Sequence, residues 1–75
     1  RFDVARKRLD ATYDNWRVLS HGDVWSHKGI EYDAVLVDAA AMSPAELYLA
    51  ASRAAHELVV CNLGPLVSIH DHGTT

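Results

Sequence analysis

The chain's 75 residues leave room for one small domain, whose core is marginal unless something supports it. Hydrophobic residues make up 49% of it, enough for a core, yet no apolar run approaches the roughly 20 residues that a membrane helix needs. A net charge of -3 removes the broad electrostatic case for a dedicated nucleic-acid binder.

Phe2, Ala5, Leu9, Tyr13 and Trp16 recur in steps of three and four, which predicts an amphipathic helix over residues 3–13. Arg1, Arg6, Lys7 and Arg8 cluster there and read most simply as its solvated face. Asp14 and Asn15 form a turn before a short strand at residues 17–20. Residues 21–31 mix Gly, Asp, Ser, His and Lys with an exposed Trp25 and predict a loop.

Residues 32–38 are the strongest strand, since Ala34, Val35, Leu36 and Val37 are unbroken apolar, as in a parallel strand covered on both faces. Ser43, Pro44 and Glu46 then combine an N-cap serine, a proline at the first helical position and a capping-box glutamate. The Ala- and Leu-rich helix that follows is expected to run to Ala55 or His56, with Glu57 leading into an apolar strand at residues 58–61. Residues 64–75 are expected to form a flexible tail.

Strand, helix and apolar strand make a βαβ unit, so the fold class is α/β: a small parallel sheet with an N-terminal helix over residues 1–16 and the main unit over 17–63. The first residue is Arg1 and no signal-peptide layout follows it, so a piece of a longer protein is expected. Cys61 lies in an apolar stretch and reads as a small buried hydrophobe; a lone cysteine and a soluble composition suggest the cytoplasm and no membrane partner.

Several chemistries find no support. No G-x-x-x-x-G-K-[ST] loop and no G-x-S-x-G elbow occurs. Five histidines invite a metal hypothesis, with His70, Asp71 and His72 the tightest group, but they lack the spacing or cysteine partners of a zinc signature, and no metal ligand is assigned. Arg53 is expected on the capped helix, on one face with Glu46 and Leu49. A guanidinium there suits phosphate oxygens, whereas spacing alone favours a surface pair with Glu57 or Glu46.

Lys28, Gly29, Ile30, Glu31, Tyr32, Asp33, Ala34 and Val35 resemble the K-G-[LI]-E-[FYW]-D-x-V block, motif V, of the UvrD-like superfamily 1 DNA helicases. Leu47, Tyr48, Leu49, Ala50, Ala51, Ser52, Arg53 and Ala54 are similar to the L-Y-V-A-x-T-R-A block of motif VI in that family, with residues 57–60 like the strand after it. The resemblance spans about residues 17–63. It implies part of the C-terminal RecA-like domain of an ATP-driven helicase or translocase, a domain that closes over ATP and Mg²⁺ held mainly by an N-terminal RecA-like domain. Arg53 would be the catalytic arginine finger at the γ-phosphate. Lys28, Gly29 and Glu31 would complete the nucleotide-binding set, and Asp33 would orient backbone.

The family's T-x-H-x-x-K arrangement before the lysine, which meets single-stranded DNA, is replaced here: Asp23 and Trp25 stand at the Thr and His places, and His27 adjoins Lys28. Trp25, Ser26 and His27 are therefore the candidate contacts to single-stranded DNA, with Trp25 able to stack on a base. Relatives with divergent upstream residues act on RNA polymerase, which makes that enzyme an alternative partner. A reading from another class is a non-enzymatic interaction domain, a helicase remnant that docks a protein through Trp16 and Trp25.

Overall fold

The computed structural model describes residues 2–63. In chain order these form α1 (Phe2–Thr12), β1 (Trp16–Ser20), a 3₁₀ turn (Val24–His27), β2 (Tyr32–Asp38), α2 (Pro44–Ala51) and β3 (Ala54–Cys61). The three strands pair in the order β1-β2-β3, and both pairings are parallel. The architecture is thus α/β, with β2 at the centre. Its central place explains the apolar run 34–37, because the middle of a strand with neighbours on both sides and layers on both faces leaves no room for a polar side chain; Asp33 and Asp38 sit half-buried at its ends.

The alternation of β2 divides the core in two. Val35 and Val37 join Leu19, Val24, Tyr32, Ala39 and Ala50 beneath α2 and the 3₁₀ turn. Ala34 and Leu36 face the other way, where they meet Leu9 and Cys61, with Phe2, Ala5, Tyr13, Trp16, Val18 and Val59 packed around them. The periodic face anticipated for the first helix is this second cluster. Leu9 and Leu36 are fully buried in it, each contributing about 1.5–3 kcal/mol relative to exposure.

The start of α2 is as expected. Ser43 Oγ accepts from the Glu46 amide at 3.2 Å and Glu46 Oε1 accepts from the Ser43 amide at 2.9 Å, with Pro44 at the first helical position. These bonds satisfy donors that the helix cannot satisfy itself. Its end differs: the helix stops at Ala51 rather than Ala55 or His56, and β3 begins at Ala54 rather than Leu58. Helix propensity loses to sheet pairing here, because Tyr32 aligns with Ala54 and Ala34 with Glu57 in the parallel ladder. The register shift between those two pairs accommodates one extra residue on β3.

Residues 21–31, expected to be loop, contain the 3₁₀ turn, and Val24 within it is fully buried against the α2 face. Trp16 belongs to β1, half-buried against α1, with its indole N–H donating to Asp10 Oδ1 at 3.1 Å. That corrects its assignment as an exposed docking aromatic. The expected tail and the His70, Asp71, His72 group lie outside the described residues. Among the described residues, no helix is long and apolar enough to cross a membrane.

Candidate functional site at the amino end of the sheet

The two sequence blocks meet at one end of the sheet. Tyr32 opens β2, Ala54 opens β3, and the two residues are register partners, so the segment before each strand emerges side by side. The first of these segments is a turn. His27 O accepts from the Ile30 amide at 3.0 Å, Lys28 has φ -58° and ψ 131°, and Gly29 has φ 85°. These values define a type II turn with glycine at the position that requires positive φ. A Cβ built on Gly29 meets nothing within 4 Å, so backbone conformation alone selects glycine there.

Arg53 fastens the second segment to the first. The Tyr32 amide donates to Arg53 O at 2.7 Å, which places Arg53 in the turn between α2 and β3 rather than on the helix. Its guanidinium donates from Nε to Leu49 O at 3.3 Å, from Nη1 to Ile30 O at 3.4 Å, and from Nη2 to Ser52 Oγ at 3.2 Å. All three bonds are long, and two of the roughly five N–H donors of a guanidinium stay available. The expected pairing with Glu57 or Glu46 does not occur. Glu57 binds Arg8 and accepts from Tyr13 Oη at 3.0 Å, while Glu46 lies 3.0 Å from His21 Nδ1 at the far end of the sheet.

Lys28 and Glu31 are exposed, and among the described residues neither side chain makes a hydrogen bond or ion pair. They flank Arg53's Ile30 contact with both charges open to solvent. Of the three candidate nucleic-acid contacts, Trp25 is 52% exposed. Ser26 and His27 are already engaged within the protein: exposed Ser26 Oγ donates to Asp23 O at 2.7 Å, and half-buried His27 Nδ1 lies 2.8 Å from Tyr32 Oη. Asp33 does not orient backbone with its carboxylate; Oδ1 sits 4.0 Å from His56 Nε2.

Two residues here went unrecognised in the sequence. Tyr32 is a hub, its hydroxyl against His27 and its ring edge-on to that imidazole. Arg17 lies over the same ring, with Cζ 5.5 Å from the centroid. Arg17 is brought there from β1, across the sheet, so no local spacing could have indicated it. The alternation within residues 16–20 did carry a signal that Arg17 and Val18 face opposite sides.

The arrangement offers an arginine with free donors and an ammonium, both of a kind that pairs with phosphate oxygens, and beside them a carboxylate that can accept from a hydroxyl or amine but not from an anion. Among the described residues no group of three His, Cys, Asp or Glu side chains is placed to hold a metal ion. The donor chemistry of Arg53 and Lys28 is compatible with the phosphates of a nucleotide, while a magnesium ion would need carboxylates from elsewhere. No family profile, curated protein or solved structure matches the chain.

Proposed function

We propose that this chain is the motif V and motif VI portion of a C-terminal RecA-like domain in a UvrD-like ATP-dependent helicase or translocase. The observation that supports it is the joining of the two blocks: Arg53 O accepts from the Tyr32 amide at the start of β2, and its guanidinium donates to Ile30 O in the residues 27–30 turn. The two residues of the side-chain contact lie 23 positions apart in sequence, so the fold brings the two blocks together.

In this reading Arg53 is the arginine finger. It rests folded on backbone oxygens by long bonds and extends to the γ-phosphate when an N-terminal RecA-like domain presents ATP and Mg²⁺. Charge that develops on the transferring phosphoryl group is stabilised by the guanidinium, while the attacking water and the metal ligands belong to the other domain. Glu31 meets the ribose or neighbouring nucleotide groups, Lys28 adds positive charge, and Gly29 sets the turn that holds both. Trp25 remains the free aromatic for a single-stranded DNA base.

The experiment is ATP turnover by the complete protein carrying Arg53→Ala. Turnover falls by about 10³-fold or more, within the range for removal of an arginine finger, while nucleotide binding weakens much less. Unchanged turnover would remove Arg53 from catalysis. A second reading rests on Trp25, a large exposed aromatic that suits a protein partner such as RNA polymerase. It is favoured if the complete protein fails to bind ATP.

A further inference from the structure

Among the described residues β1 is an edge strand, and the hydrogen bonds around it define what its outer edge offers. Asn15 O accepts from the Asp33 amide at 2.9 Å, so the backbone groups of Asn15 point toward β2. Alternation along a parallel strand then directs Arg17 and Leu19 inward and Trp16, Val18 and Ser20 outward. Ser20 bears this out at the far end. Its amide donates to Asp23 Oδ1 at 2.9 Å and its carbonyl accepts from the Asp23 amide at 3.2 Å, so both its outward groups are already used. Among the described residues, the part of the edge left without a partner is the N–H and C=O of Trp16 and Val18.

A groove of about 370 Å³ lies at this place, lined by Arg6, Trp16, Arg17 and Val18. Consecutive strand residues point their side chains to opposite faces, so a groove that touches all three runs along the backbone edge. Its charge is positive from both sides: Arg6 reaches it from α1, and Arg17 lies on the opposite face, over Tyr32. An adjoining groove that shares Arg6 and Trp16 adds Lys7 together with Asp3 and Asp10, and Asp10 is already engaged by the Trp16 indole. The ion pairs among the described residues involve Arg8, His21 and His56, so Arg6, Lys7 and Arg17 have no carboxylate partner there.

We infer that the outer edge of β1 is a docking site for an extended acidic peptide of a protein partner, which adds as a fourth strand. The main-chain groups of Trp16 and Val18 supply affinity, as in other strand-addition complexes. Neighbouring residues of the added strand fall on opposite faces, so two successive acidic side chains meet Arg6 on one face and Arg17 on the other. A second copy of this chain is disfavoured as the occupant, because edge-to-edge pairing would bring the same arginines together. Charge complementarity thus selects an acidic segment.

The test uses the full chain and a fluorescein-labelled peptide of sequence TEEVEEVT, with TQQVQQVT as its neutral counterpart. Fluorescence anisotropy gives the affinities at low and high salt, and amide hydrogen exchange locates the contact. The acidic peptide binds at least roughly tenfold more tightly than the neutral one, the equivalent of about 1.4 kcal/mol. Added salt narrows that difference, and the peptide slows exchange at Trp16 and Val18. Arg6→Glu, on an exposed helix position remote from the Tyr32 contacts, weakens acidic-peptide binding, and Arg6→Glu with Arg17→Glu weakens it further. Equal affinity for the two peptides, no binding, or protection elsewhere overturns the proposal. Protection of Trp16 and Val18 by self-association without peptide overturns it too, since the occupant is then a second copy.

Discussion

The amide of Tyr32 and the carbonyl of Arg53 are 2.7 Å apart, and through this one bond the backbone of Arg53 is spliced into the sheet. The side chain adds only long contacts to Leu49, Ile30 and Ser52. Position and chemistry are therefore separable. Arg53→Ala should keep the native circular dichroism and lose no more than about 1 kcal/mol in urea denaturation, the scale of an ordinary net hydrogen bond. A much larger loss would mean that the guanidinium is structural, and a fall in ATP turnover would then no longer report on phosphoryl transfer.

The type II turn at residues 27–30 makes a sharper demand. Gly29→Ala meets no steric neighbour, yet it places a Cβ at φ 85°, so the substitution costs about 1–2 kcal/mol from backbone strain alone. Gly29→Asn should cost less, because Asn enters this region more readily. Equal stability for the glycine and alanine proteins in thermal denaturation would show that the turn relaxes to another form.

Acid should unfold the protein through two glutamates. The Arg8 hydrogen bond holds Glu57 below the usual carboxylate range, against the opposing effect of desolvation and with help from Tyr13. Glu46 is likewise lowered, chiefly by the Ser43 backbone N–H and further by His21. A depressed folded pKa gives stability that is present above the unfolded value, roughly 4.3 for glutamate, and is lost as pH falls through the folded value. Denaturation midpoints should accordingly stay level on this account from neutral pH down to that point and then decline. Glu57→Gln should lower the neutral plateau and make the decline shallower; an unchanged acid limb would contradict the assignment.

Capping and packing set two further magnitudes. Ser43→Ala removes the acceptor for the Glu46 amide and should cost about 1 kcal/mol, whereas Leu36→Ala, at a fully buried position of the central strand, should cost about 2–5 kcal/mol. In a domain of this size the second loss is expected to abolish a cooperative melting transition. Calorimetry on both variants checks the order.

The start of α2 was legible in the sequence because its signal is local: serine, proline and glutamate occupy positions that contact one another within a single turn. The central strand was legible because double-sided burial excludes polar residues from 34–37. The end of α2 was not, since alanines and Arg53 favour helix and only the pairing of Ala54 with Tyr32 draws the chain out of it. Trp16 misled for a related reason, as its burial depends on α1 lying across β1. At the candidate site the turn residues could be named from their order, but not the engagement of Ser26 and His27 by neighbouring groups. Those side chains are captured by Asp23 O and Tyr32 Oη, and hydrogen-bond capture of that kind leaves no periodic trace.

The fastening of α1 to β3 has a consequence for how the chain acquires its structure. Arg8 and Tyr13 wait for Glu57, which lies 49 and 44 residues further along. During synthesis the first helix therefore has its hydrophobic face ready long before its anchor leaves the ribosome. Contacts of such high sequence separation form late and carry a large entropic cost of loop closure. The fastening of Arg8 and Tyr13 to Glu57 is thus expected to be late in folding, and a nascent chain stopped before β3 should hold α1 less firmly and expose its apolar face to chaperones.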